Sequence, residues 1–503
     1  MTISETTGKL SRPIVALFFA GALIFLYLRN FLLPATPFFA VGDQMLFFVR
    51  AVRILHGQTP YRDFFELVTP GTDLFYAAIF RFTGVHLWVM QALGVVMGLA
   101  GCWMMAAISS RLFRGITILL PVLLFLVFDY ASALDLTHHW YSTFFALATI
   151  CVLIEGKSLN RIAVSGVLCA VATLFTQTQG GLLFFALAIY VLWLYRRDGI
   201  WKPLAALALP YALIVGCVLG YYAYQSGLHL LFFDLITFPL KFMSSGDVNS
   251  PRTYLHQLPP VHGAGDIVRL IPFLFIYLLV PYVYLVGAIQ LWHERKTLPA
   301  SEKQLLILLH VVGFALFLAV ASGPRFFRLC TVAPPAILIS VWMVGRWKAA
   351  RVLLWGAAAF FAILLPAYRQ HQLHAIVQLP VGKTAFVDPL KYQEFRWFAQ
   401  QTHPSELFFN DANLGFYLRL ENPAPVDFVN MDDSTRPEWV AASIHALEQQ
   451  PPRFVVLYAE NSSIPKHNDH SGPLRQYVHD HYRLAQTFPL ENHTFAEEVW
   501  ERK

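Results

Sequence analysis

The sequence predicts a polytopic α-helical membrane protein of about eleven transmembrane helices, at roughly 20 apolar residues per span, followed by a small C-terminal α/β domain. Three observations predict it. Hydrophobic residues make up 56% of the chain and charged residues only 14%, where a soluble chain carries about 25% charged. The apolar residues gather in long runs separated by short basic loops, with a mean hydropathy of +0.51. From residue 369 onward the long runs stop and the composition becomes that of a soluble domain.

Spans are predicted near 13–34, 85–108, 114–130, 140–155, 160–176, 180–196, 203–224, 266–291, 304–322, 329–346 and 351–368. The first follows Lys9 and Arg12 with no small-x-small cleavage site behind it, and reads as a retained signal anchor. The net charge of +6 does not point to nucleic acid, because the basic residues cluster in alternate loops. Arg111 and Arg114, Lys157 and Arg161, Arg196, Arg197 and Lys202, Arg295 and Lys296, then Arg346, Lys348 and Arg351 all share one side with the N-terminus. Positive charge marks that side as cytoplasmic. The opposite side receives 35–84, 131–139, the Gln177/Gln179 break, 225–265, 323–328 and the C-terminal domain, 369–503. The five cysteines lie in or beside apolar runs and form no CxxC pair, so neither a disulfide framework nor a zinc site is indicated.

The first outer loop is the most informative stretch. Met45, Phe48, Val49, Val52 and Leu55 recur at helical spacing, with Arg50 and Arg53 off the stripe. That pattern predicts an amphipathic helix at the membrane interface. Pro60 and Pro70-Gly71 punctuate the loop, and a second amphipathic run covers Asp73 to Phe82. Asp43 is either a general base or metal ligand at the interface, or the N-cap of the helix it precedes. The 225–265 loop is long and rich in proline (Pro239, Pro251, Pro259-Pro260). In the C-terminal domain Glu406–Phe409 and Arg453–Tyr458 read as strands, and Pro437–Gln449 and Leu474–Tyr482 as helices.

An Asp just after the first span, a helix ending in His56-Gly-Gln-Thr-Pro-Tyr-Arg-Asp-Phe64, a Pro-Gly, and a second helix closing on Phe80-Arg-Phe-Thr-Gly84 together resemble one family. They resemble the first outer loop of bacterial membrane glycosyltransferases of the GT-C fold, such as protein O-mannosyltransferases and the aminoarabinose transferase of lipid A. The resemblance implies an inverting cell-envelope glycosyltransferase in the bacterial inner membrane, with the C-terminal domain periplasmic. Its donor would be a sugar on a polyprenyl phosphate, and its acceptor a hydroxyl of a glycan, lipid or protein. The resemblance requires no cofactor and leaves a divalent metal ion open, with no ligand set assigned; the family's usual Asp-Glu or Asp-Asp opening is Asp43-Gln44 here.

On that resemblance Asp43 takes the acceptor proton, and Asp135 in the second outer loop is the second catalytic acid. The departing phosphate needs cations or donors aimed at it. Arg325 and Arg328, in an outer loop where positive charge runs against the bias, fit that need, with lipid headgroup contact as the competing reading. His138 and His139 hydrogen-bond the phosphate or the acceptor, ligate a metal, or cap the interface beside Trp140. Tyr61, Asp63, Glu66, Gln177 and Gln179 are the candidate substrate-binding residues; the bland reading is surface charge for the acids and a plain turn for the glutamines. Asn461-Ser-Ser463 and Asn492-His-Thr494 match a glycosylation sequon. The competing function is a lipid or glycan flippase, against which stand the scarcity of intramembrane charge and the lack of a visible inverted repeat.

Overall fold

The computed structural model describes residues 10–242, 249–255, 257–259, 261, 264–427, 429, 435–459, 470–489 and 496–503. The two sequons lie outside the described residues. The chain divides into two compact units, one of Met1–Asn30, Ala92–Leu219 and Asp247–Arg369, the other of Phe31–Gln91, Gly220–Gly246 and Gln370–Lys503.

The helices follow the hydropathy. They are α1 (Arg12–Asn30), α2 (Gln44–Leu55), α3 (Gly71–Thr83), α4 (Leu87–Ser109), α5 (Gly115–Ser132), α6 (His138–Ile154), α7 (Leu159–Phe175), α8 (Gln177–Tyr195), α9 (Trp201–Ser226), α10 (228–241), α11 (Ala264–Glu294), α12 (Ala300–Val320), α13 (Phe326–Val332), α14 (Pro334–Val344) and α15 (Lys348–His371). Among the described residues eight are long and apolar enough to cross a membrane, and the bent pair α13–α14 makes a ninth if it is one span. The apolar helices α6 and α7, of 17 residues each, are shorter than these and lie where two of the expected spans fall. The 329–346 segment is not one straight span: α13 and α14 meet at 71°. Pro334 and Pro335 follow Ala333, and their missing N–H groups and ring clashes break the helical ladder there.

Within the first unit, α6, α7, α8 and α12 pack on one another, as do α11, α12 and α14. Lipid tails are as apolar as leucine, so such packing relies on close contact rather than on burial from water. Small residues permit it. A Cβ on Gly180 of α8 would stand 2.1 Å from the Thr173 backbone N of α7, and one on Gly166 would stand 2.2 Å from the Leu207 carbonyl of α9. An aromatic cluster of Phe125, Tyr130, Trp140 and Phe144 joins α5 to α6, with Tyr130 and Trp140 centroids 5.0 Å apart.

In the second unit, the strands are β1 (Phe31–Leu32), β2 (Thr36–Pro37), β3 (Ala375–Leu379), β4 (Gly382–Phe386), β5 (Phe408–Phe409), β6 (Phe454–Tyr458), β7 (Tyr482–Pro489) and β8 (Ala496–Arg502). Four of them form a sheet of order β5-β6-β8-β7, in which β5 and β6 are parallel and the other pairs antiparallel. The helices α16 (Pro389–Gln401), α17 (Ala412–Leu418), α18 (Pro437–Gln449) and α19 (Gly472–His481) complete the fold. Four of the five residues of β6 are buried, as a central strand covered on both faces requires. The core joins Phe409, Val455 and Leu457 to Leu447, Leu474 and Val478 of α18 and α19.

The 225–265 region departs from the expected loop, since 228–241 is helical. A π turn at Phe233–Thr237 precedes Pro239, where the missing N–H disturbs the regular ladder. This accommodation hides the helix from a reading that treats proline as punctuation.

Gly180→Ala should force α7 and α8 apart, at a cost of about 1–3 kcal/mol for overpacking. Gly181→Ala, whose Cβ meets nothing within 4 Å, should be neutral or stabilising. Unfolding rates of the two variants on heating in detergent separate these outcomes.

Candidate active site

Helix α2 buries Met45, Phe47, Phe48, Val49 and Ala51, and it also buries both arginines. Arg50 and Arg53 therefore do not lie on the outer face expected from the sequence, because acids distant in the chain receive them. Arg50 Nη1 donates to Glu66 Oε2 at 2.6 Å and its Nε to Asp427 Oδ2 at 2.7 Å. Arg53 Nη1 donates to Asp427 Oδ1 at 3.0 Å, its Nε to Gln58 Oε1 at 2.6 Å, and its guanidinium lies 4.8 Å from the Phe64 ring centroid. Asp427 thus bridges two guanidinium groups, the bidentate use of a carboxylate that arginine favours.

Two further acids are buried beside this group, Asp73 of α3 and Asp234 of α10. Burial first, then the Glu66 charge, pushes the Asp73 carboxyl well above the usual range. Neither Asp73 oxygen makes a hydrogen bond of good geometry, although Glu66 is near enough to interact. Burial raises Asp234 to about 8, against the opposing hydrogen bond from the Glu66 backbone and the pull of Arg50. Two arginines are matched by Glu66 and Asp427, while Asp234 is mostly protonated at neutral pH.

The expected residues of this loop divide by environment. Asp43 is exposed at the start of α2, and its side chain makes no capping hydrogen bond to the helix. Tyr61 is buried at φ 66°, with its hydroxyl donating to the Val68 carbonyl at 2.7 Å and its backbone N–H to the Phe64 carbonyl. Asp63 accepts the Thr59 N–H at 2.7 Å and pairs with Arg62, whose hydrogen bond holds its carboxyl below the usual range. Glu66 is fully buried, and its second oxygen accepts the Val68 N–H at 2.9 Å. Tyr61, Asp63 and Glu66 are therefore tied into the loop's own scaffold.

In the first unit, the starts of α6 and α8 and the short α13 bring other expected residues together. The His138 and His139 ring centroids are 4.0 Å apart, the Phe327 ring lies tilted with its centroid 6.4 Å from that of His139, and the Arg328 charge and the Gln179 amide both act on His139. Arg328 Nη1 donates to Asn249 Oδ1 at 2.8 Å and to the Gly323 carbonyl at 3.1 Å. Thr137 and Thr176 stand at the N-cap positions of α6 and α8 without capping them. Their hydroxyls are buried without a hydrogen-bond partner among the described residues, and His139 Nδ1 and the Gln179 amide make none of good geometry, although the two side chains are near enough to interact. Two helix N-termini and unspent donors make a place suited to an anion. Arg325 precedes α13, and among the described residues its guanidinium makes no hydrogen bond or ion pair. Gln177 begins α8, and half-buried Asp135 lies in the connector before α6.

Reading the sequence missed Asp129. It is buried at the end of a π turn (Phe125–Asp129) within α5, beside the Cys330 thiol. The signal was present, since an acid inside an apolar run is rare and marks a functional position by default. Asp73 and Asp427 carried no comparable mark.

One trio among the described residues, Glu394, Asp411 and Glu497, offers ligand atoms within 4.8 Å of one another. The Lys391 ammonium already occupies it, 2.7 Å from Glu394 and 3.3 Å from Glu497. Burial and then the Glu497 charge push Glu394 well up, as expected of three acids sharing one cation. This trio does not fit a metal ion, and Gln44 stands where a second acid would adjoin Asp43.

No protein-family model matches the chain, and no curated protein matches it by sequence. By structure it is similar to ArnT from Cupriavidus metallidurans bound to undecaprenyl phosphate, with a TM-score of 0.61 and 12% identity over 97% of this chain and 98% of that one. It is also similar to the archaeal oligosaccharyltransferase AglB from Archaeoglobus fulgidus, in complex with an inhibitory peptide and a dolichol-phosphate (TM-score 0.51, 12% identity, 98% of this chain and 74% of that one). A structure of the Archaeoglobus fulgidus oligosaccharyltransferase tethered with an acceptor peptide containing the NVT sequon gives the same score and identity over 97% of this chain and 74% of that one. The chain is a polytopic membrane protein of the GT-C fold, as its first outer loop suggested.

Asp427→Ala should leave two buried guanidinium groups without their shared carboxylate, at a cost of about 3–5 kcal/mol, read as a loss of thermal stability in the full-length chain. The contribution of Asp234 has the opposite sign to that of an ordinary ion-paired acid. Its folded pKa lies above the unfolded value near 3.9, so its stabilisation is full at low pH and is lost as pH rises through about 8. Asp234→Asn should therefore flatten the decline in melting temperature between pH 5 and pH 8.5, by about as much as this one group contributes.

Proposed function

We propose that this protein is an inverting glycosyltransferase of a bacterial inner membrane, moving a sugar from a polyprenyl-phosphate carrier to an acceptor hydroxyl on the periplasmic side. The observation that carries the reading is the whole-chain likeness in fold to ArnT bound to undecaprenyl phosphate. The acceptor is a glycan, lipid or protein hydroxyl, and the C-terminal domain is periplasmic.

The acceptor oxygen attacks the anomeric carbon, and the bond from that carbon to the phosphate oxygen breaks. The phosphate leaves with the electron pair. Asp43 takes the hydroxyl proton, a role supported by its exposure at the start of α2. Positioned proton removal is worth about 10²–10⁴ in rate. Arg325, Arg328, His138 and His139 hold the donor phosphate, with Gln179 supplying an amide donor, and the buried unspent donors near His139 support that assignment. Asp135 is the second acid. Tyr61, Asp63 and Glu66 shape the loop rather than touch substrate, on the evidence of their internal bonds.

Purified full-length protein should transfer radiolabelled sugar from polyprenyl phosphate, and Asp43→Asn should lower transfer by about 10²–10⁴ while leaving carrier binding unchanged. Undiminished transfer by Asp43→Asn removes the base assignment. Carrier translocation across vesicles with no transfer at all identifies a flippase instead.

A further inference from the structure

We propose that α10 is an in-plane membrane contact, lying along the bilayer surface with Leu228, Phe232, Ile236 and Leu240 in the lipid. These four residues recur every fourth position and are 71%, 57%, 42% and 73% exposed. The opposite face buries Leu231, Asp234, Leu235 and Phe238. A helix on a water-exposed surface turns its polar face outward and its apolar face inward. Here the outward stripe is apolar, and the one acid of the helix faces in.

Helix α3 of the same unit repeats the inversion. Leu74, Ala78 and Phe82 are exposed at the same spacing, with Phe82 at 87%, while Asp73 is fully buried. Exposed apolar stripes on two helices exceed the scattered hydrophobics of an ordinary soluble surface.

Lipid is favoured over a protein partner by where α10 begins. It follows the apolar span α9, which is almost entirely unburied, across Gly227 at φ 87°. The last turns of α9 expose Tyr221 and Tyr224, aromatics of the kind that settle at headgroup level. A chain leaving the bilayer at those tyrosines enters α10 at interfacial depth. The exposed Lys241 at its far end suits an anionic headgroup.

The test places a nitroxide at Leu228→Cys, Phe232→Cys or Ile236→Cys in a cysteine-depleted full-length chain, reconstituted in nanodiscs of phosphatidylethanolamine and phosphatidylglycerol. Leu484→Cys, on the exposed strand β7, is the water-facing reference. Collision with oxygen should exceed collision with a water-soluble nickel chelate several-fold along the stripe, and the order should reverse at 484. Nickel access along the stripe equal to that at 484 overturns the proposal, as does spin–spin broadening that shows a second copy seated there. The unsubstituted chain supplies a second measurement, using a phosphatidylethanolamine with a diazirine on its acyl chain. Adducts within 228–240 support the proposal, and adducts confined to the spans overturn it.

Discussion

The second unit depends on one buried interaction, the sharing of Asp427 between Arg50 and Arg53 with Glu66 closing the group. Desolvating two guanidinium groups is expensive, and the return depends on filling every donor direction. That condition is largely met: Arg53 also reaches Gln58, the Asp63 carbonyl and the Ala424 carbonyl. Such a group adds less to stability than its short distances suggest. What it supplies is register, because α2 cannot slide or roll without leaving a charge buried and unmatched. The helix carrying Asp43 at its start is thereby set by a residue nearly four hundred positions later in the chain.

The rest of the first outer loop serves the same constraint. Tyr61 closes the 61–68 turn through Val68, at a backbone conformation that few non-glycine residues adopt. Asp63 staples that turn to Thr59. Asp73 and Asp234 sit against the ionic group, and burial pushes both carboxyls above their ordinary range. In the first unit the physics differs. Packing there rests on close backbone approach at Gly166 and Gly180, and buried hydroxyls gather at the starts of α6 and α8.

Much of this was legible beforehand. The span positions were, because hydropathy acts on each 20-residue window separately and each helix satisfies its own backbone. The strand Phe454–Tyr458 and the helix Pro437–Gln449 were also legible, being local patterns. The bend between α13 and α14 was signalled by Pro334-Pro335 but merged into one apolar run. The helical course of 228–241 was obscured by Pro239, which a π turn accommodates. Asp129 was visible as a charge in an apolar run and was passed over.

By itself the sequence determined the membrane class, the outline of the C-terminal α/β fold and the loop in which Asp43 lies. Each follows from composition or from periodicity within a single element. Only the tertiary structure decided that Arg50 and Arg53 are buried, that Glu66 is ion-paired to Arg50, and that the first outer loop belongs with the C-terminal residues in one compact unit. The reason is that a charge's environment is a long-range property. Whether an arginine on a helix faces water or a carboxylate depends on residues that no local window contains.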